Sequence, residues 1–117
     1  MVSPTRRYIN ATIPITPAVL SDEIDLQDEV LVGFQVLAGW TAANITFLAS
    51  FDGTTFAALY DQEGNAAQVL SANIAADRPI SFSSSLVPLF AGVRKLKIQV
   101  SVAQTAARTV FLVARQL

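Results

Sequence analysis

Apolar and polar positions alternate with period two along most of this chain, and no stretch sustains the 3.6-residue period of an amphipathic helix. The clearest run lies between Gly39 and Asn65. There Ile45, Phe47, Ala49 and Phe51 fall on one face, and Thr46, Leu48 and Ser50 on the other. Asp52-Gly53 breaks the run, residues 55–60 resume an extended pattern, and Asp61-Gln62-Glu63-Gly64-Asn65 makes a second turn. Alternation interrupted by Asp-Gly predicts an antiparallel β-hairpin.

The same reading extends in both directions. Residues 8–16 predict a first strand with Ile9, Ile13 and Ile15 inward. Pro14 assigns it to a sheet edge, because proline cannot donate to a ladder. A short strand is expected over residues 23–26, followed by a turn at Asp28-Glu29. Residues 30–38 are β-branched and apolar on both parities (Val30, Val32, Phe34, Val36; Leu31, Leu37), the pattern of a central strand covered on both faces. Strands are also expected over residues 68–72 and 80–83, with Asp77-Arg78-Pro79 turning the chain between them. Residues 84–92 do not alternate, and Pro88 and Gly92 predict a packed loop or a single helical turn. Residues 94–102 return to alternation, with Leu96, Ile98, Val100 and Val102 inward. A last strand over residues 108–115 is apolar on both parities at Val110, Phe111, Leu112 and Val113.

Eight to nine short strands with turn signals every 8–12 residues predict an all-β fold. We expect a single antiparallel β-sandwich of jelly-roll type over residues 1–117, with residues 1–7 as an extended N-terminal arm.

Composition sharpens this picture. In 117 residues, hydrophobic types make up 52% and charged types only 15%, against roughly 25% charged in typical soluble domains. A small domain has much surface per unit volume, so part of this apolar content is expected at contacts with other subunits, whose interfaces resemble a core cut in half. Charge is segregated along the chain. Asp22, Glu23, Asp25, Asp28 and Glu29 form an acidic block, whereas Arg94, Lys95, Lys97, Arg108 and Arg115 leave the last quarter basic. That arrangement fits cross-strand pairing within one molecule or complementary faces between copies.

Candidate chemistry is sparse. There is no histidine and no cysteine, which removes the commonest general base, the commonest transition-metal ligands and any disulfide. A nucleophilic triad would have to rely on Lys95, Lys97 or a carboxylate as base, and both lysines are expected on a solvent face. Asp52, Asp61 and Glu63 are carboxylates near hairpin ends, where turn geometry itself favours acidic residues. Asp61, Glu63 and Asn65 resemble a calcium loop only superficially, since the glycine is at position four and the distal glutamate is missing. No phosphate-binding glycine fingerprint is present, so neither a cofactor nor a catalytic residue is assigned. A net charge of −1 and the lack of a basic patch interleaved with aromatics argue against nucleic acid. Residues 30–51 carry no charge, but Gly33, Gln35, Gly39, Thr41 and Asn44 interrupt them, and their alternation is that of strands; no membrane span is expected. The N-terminal residues lack the apolar run of a secretory signal.

Two resemblances add to this reading. Ala49-Ser50-Phe51-Asp52-Gly53-Thr54-Thr55-Phe56, with Val93-Arg94-Lys95-Leu96-Lys97-Ile98 further on, resembles the hairpin and strand of the discoidin and galactose-binding-like jelly rolls. That resemblance implies the sandwich fold; the carbohydrate-contacting loops of the group are too variable to carry over. A second set looks like small tailed-bacteriophage virion proteins. It comprises residues 39–47, Asp52-Gly53 with Leu59-Tyr60-Asp61 and Gly64-Asn65, Leu89-Phe90-Ala91-Gly92-Val93-Arg94, and Gln104-Thr105-Ala106-Ala107-Arg108. This resemblance spans roughly residues 36–115 and implies a structural role in the virion.

The expectation is therefore a non-enzymatic virion protein that decorates and stabilises the head. It would oligomerise, as a trimer, and contact the major capsid protein or another virion protein. Arg6, Arg7, Tyr8, Trp40 and Phe90 are the candidate interface residues. The alternative is a carbohydrate-binding module, or a fibre or tail accessory protein, with Trp40, Phe56 and Tyr60 as a sugar-stacking platform.

Overall fold

The structure is a computed structural model that describes residues 6–14 and 19–116. Nine strands follow one another among the described residues: β1 (Arg6–Ile13), β2 (Ile24–Asp25), β3 (Val30–Val36), β4 (Ile45–Ser50), β5 (Ala57–Ala58), β6 (Gln68–Val69), β7 (Pro79–Ser81), β8 (Lys95–Val100) and β9 (Arg108–Arg115). They form two antiparallel sheets, one ordered β1-β9-β3-β7, the other β2-β8-β4-β5 with β6 also paired to β4. The ladders are nested. β1 pairs with β9, β2 with β8, β3 with β7, and β4 with β5 and β6. One long folded-back ribbon of this kind, rolled so that β9 also meets β3 and β8 also meets β4, is a jelly roll. The all-β sandwich expected from the alternation is the fold observed.

β5 and β6 behave as one strand with an insertion. Leu59 N–H donates to Phe47 C=O and Ala67 N–H to Leu59 C=O, while Tyr60 bridges Ala66 across the turn at residues 61–65. The hairpin predicted at Asp52-Gly53 thus forms, between β4 and β5. The 68–72 strand is shorter than expected. Ser71 N–H donates to the Asn44 side chain at 2.7 Å, and residues Ser71–Asn73 close into a 3₁₀ turn. A second 3₁₀ turn, Val87–Phe90, is the single helical turn expected around Pro88.

Inward residues of both sheets build the core: Ile13, Leu31, Phe34, Val36, Val110 and Leu112 from one, Ile24, Ile45, Phe47, Leu96, Ile98 and Val100 from the other. At its centre four phenylalanines meet. Phe47 contacts Phe90 edge-on at 5.1 Å between ring centroids and Phe82 at 6.0 Å, and Phe34 meets Phe82 at 5.8 Å, geometries that aromatic quadrupoles favour.

Phe51, which shares its parity with Phe47, and Val102, expected inward, both lie outside. Phe51 is 74% exposed because β4 ends at Ser50, where the chain leaves the ladder: the Ser50 hydroxyl accepts from Gly53 N–H and donates to Asp52, and the loop they close carries Phe51 out to solvent. Val102 is 47% exposed because β8 ends at Val100, after which Ser101 is drawn to Asn44: its N–H donates to Asn44 C=O and its hydroxyl accepts from Asn44 N–H. The arm expected over residues 1–7 is also shortened, since Arg6 and Arg7 already belong to β1, an edge strand as Pro14 implied. Residues 1–5, and Ile15 and Thr16 of the expected first strand, lie outside the described residues.

Candidate functional site

Strand alternation sends every second residue of β1 and β9 away from the core, and the ladder aligns them in rows. Tyr8 lies opposite Val113, which lies opposite Gly33, which lies opposite Ser81. In the next row Asn10, Phe111, Gln35 and Pro79 are aligned in the same way. These rows floor an open groove of about 900 Å³ on the outer face of the β1-β9-β3-β7 sheet, whose walls include Val32, Ile80, Phe82 and Val87. Its lining is mostly apolar; Tyr8 is 73% exposed and Phe111 41%.

Gly33 allows the groove to narrow at β7. A Cβ on Gly33 would sit 2.5 Å from the Ile80 carbonyl oxygen, inside van der Waals contact, so only glycine lets β7 come this close. A register shift between Leu31 and Gly33 accompanies this approach, and Val32 lines the groove. The apolar pattern of β3 predicts a strand covered on both faces. One face is covered by the core, but at Val32 and Gln35 the other looks into the open groove.

One end of the groove is basic. Arg6 and Arg115 are direct cross-strand partners, and both side chains line the groove. Arg7, the next residue, is oriented away: its guanidinium is bonded to the Glu29 carboxylate and donates to Asp25 C=O at 2.6 Å. Lys95 pairs with Glu23 at 3.6 Å. These two ion pairs answer part of the charge segregation within one molecule. Asp28 accepts a hydrogen bond from Gln116, and Asp25 caps the Gln27 N–H, but among the described residues neither carboxylate forms an ion pair.

The other candidate residues are dispersed. Phe90 is a correction to the expected interface set: it is wholly enclosed, stacked on Phe82 and edge-on to Phe47, because the 3₁₀ turn at Pro88 folds it into the core. Trp40 is half-buried against the core, and its indole N–H has no partner among the described residues. Phe56 lies under the Lys97 ammonium, 4.5 Å from the ring centroid, and Tyr60 is 56% exposed at the inserted turn. The aromatic pairs among the described residues join Phe34, Phe47, Phe82 and Phe90, and none joins Trp40 to Phe56 or Tyr60.

The two turn carboxylates are engaged by their own loops. Asp52 Oδ1 accepts from Thr54 N–H, Thr55 N–H and the Ser50 hydroxyl, and these donors, Thr55 N–H foremost, hold its pKa far below the ordinary value of 3.8. Asp61 accepts from the N–H groups of Asn65 and Glu63 and from the Asn65 amide, and its pKa is also lowered, chiefly by the Asn65 N–H. No group of three or more acidic side chains converges in metal-binding geometry among the described residues.

Phe111, Val113, Val32 and Gln35 are groove residues that the sequence does not single out. Their signal is present, in the apolar residues on both parities of β3 and β9. It is ambiguous, because a strand between two covering layers carries the same pattern.

A jelly roll with one open, apolar and partly basic sheet face is a fold suited to contact with other molecules. Over its whole length the chain is similar in fold to the crystal structure of the SPBc2 prophage-derived protein YomS, with a TM-score of 0.60 and 16% identity, covering 99% of this chain and 97% of that one. No family model and no curated protein matches the chain.

Proposed function

We propose that this chain is a non-enzymatic structural protein of a bacteriophage virion, a decoration (cement) protein that forms a homo-oligomer, a trimer, on the head and stabilises it. Its partners are further copies of itself and the major capsid protein or another virion protein. The observation that carries the reading is the full-length fold likeness to a prophage-derived protein. The open apolar face of the β1-β9-β3-β7 sheet supports it, since exposed patches of this kind mark interaction surfaces. The stabilising mechanism is burial of that apolar area against neighbouring subunits.

The test is quantitative mass spectrometry of purified particles, together with thermal challenge of heads carrying and lacking the protein. The expected result is a copy number commensurate with the capsid lattice and a higher melting temperature of decorated heads. Absence of the protein from purified particles overturns the reading.

A further inference from the structure

We propose that the groove on the outer face of the β1-β9-β3-β7 sheet is the self-association site, and that a second copy seats its acidic turn, residues 25–28, against the paired Arg6 and Arg115. This deepens the homo-oligomer reading above and rests on it.

Three observations converge. First, Arg6 and Arg115 are in direct cross-strand register, and like charges so placed are unfavourable unless an anion neutralises them. Neither has an acidic partner among the described residues. A carboxylate bridging two guanidiniums meets their fork geometry in full. Second, the chain carries the matching anions. Asp25 and Asp28 are exposed, their carboxylates form no ion pair among the described residues, and they flank a turn in which Gln27 takes φ 56°. Third, the acidic turn and the basic pair are neighbours on one molecule. Arg7 is bonded to Glu29, Gln116 to Asp28, and Arg115 is the ladder partner of Val30. A copy facing this end therefore presents its acidic turn to the partner's arginines, and its own arginines remain free to receive the turn of the next copy, the head-to-tail contact that closes a ring such as a trimer. Tyr8, Phe111 and Val113 supply apolar area beside the charges, and Val32 gains the cover that its sequence pattern implies.

The test uses two charge variants of the full chain. One carries Arg6→Glu and Arg115→Glu; the other carries Asp25→Asn and Asp28→Lys, the asparagine keeping an acceptor for Gln27 N–H. Mass is read by light scattering across a dilution series, with circular dichroism and melting temperature to verify the fold. Each variant alone is expected to dissociate at concentrations at least tenfold above the wild type, because like charges then face each other. An equimolar mixture is expected to associate at lower concentration than either variant alone, because at a contact between unlike variants the introduced glutamates face the introduced lysine and the retained arginines face the retained aspartates. Raising salt from about 0.1 M to about 1 M, which shortens the screening length from roughly 10 Å to roughly 3 Å, is expected to weaken wild-type association. A wild-type oligomer whose mass is kept by both variants overturns the proposal and leaves the homo-oligomer reading standing. A wild-type protein that is monomeric at every concentration overturns both.

Discussion

Gln104 and Thr41, 63 residues apart, are joined by a reciprocal pair of hydrogen bonds: Thr41 N–H donates to Gln104 Oε1 at 2.8 Å, and Gln104 Nε2 donates to Thr41 C=O at 2.9 Å. The Gln104 side chain is wholly buried and imitates one rung of a β-ladder, fastening the β3–β4 connection to the β8–β9 connection. Trp40, next to Thr41, is held against the core at this corner.

Gln104→Ala leaves both backbone groups of Thr41 without these partners and is expected to cost about 2–4 kcal/mol. Gln104→Glu separates hydrogen bonding from shape. An ionised carboxylate accepts from Thr41 N–H but cannot donate to Thr41 C=O, so burial raises its folded pKa above the unfolded value. The variant therefore regains stability, relative to wild type, as pH falls through that raised value. Urea melts at neutral and acidic pH check this; equal deficits at both pH values would count against the pairing.

Phe47 and Phe51 lie on one parity of the same run but in opposite environments, at 1% and 74% exposure. Phe47→Ala removes the ring that meets both Phe82 and Phe90, and is expected to cost about 3–5 kcal/mol. Phe51→Ser is expected to change stability by no more than about 0.5 kcal/mol. Chemical denaturation of both variants decides the matter, and similar losses would mean that Phe51 packs inside.

Asp52 orders the β4–β5 loop through its ionised carboxylate. Because its pKa is lowered on folding, the stabilisation is fully present above the ordinary carboxylate value of 3.8 and is lost as pH falls through the lower folded value. Asp61 behaves in the same sense. Carboxyl carbon shifts followed by NMR should therefore place both midpoints below 3.8, and Asp52→Ala should flatten the acid dependence of Thr54 and Thr55 amide exchange. An ordinary midpoint for Asp52 would remove the loop's charge-assisted bonds.

Two N-terminal truncations are expected to behave very differently. Deleting residues 1–5 leaves the β1–β9 ladder complete, from Arg6 opposite Arg115 to Ile13 opposite Arg108. Deleting residues 1–12 removes almost all of β1 and uncovers β9, and should abolish cooperative thermal unfolding. A cooperative melt of the longer truncation would show that β1 is dispensable to the fold.

The strands legible in the sequence are those whose faces differ. β8 alternates buried Leu96, Ile98 and Val100 with more exposed Lys95, Lys97 and Gln99, and its alternation reads directly because one face meets the core and the other water. β3 and β9 are recognisable as strands, but the role of their outer faces is not, because a residue facing an open groove and one facing a second layer have the same chemistry. Phe90 is misleading for a related reason. Its loop has no period, so only the turn at Pro88 determines which way the ring points.

By itself, then, the chain determined its class: period-two alternation, Asp-Gly and the prolines specify short antiparallel strands, and the missing histidine and cysteine narrow the chemistry, because these are local properties of residues and their neighbours. Which strands meet was decided only in three dimensions. The nested ladders place Arg6 beside Arg115, Thr41 beside Gln104 and Tyr8 in one row with Val113 and Gly33, contacts between residues far apart in the chain. Such contacts follow from burying two sheets against each other, a global balance of area and register that no window of the sequence contains.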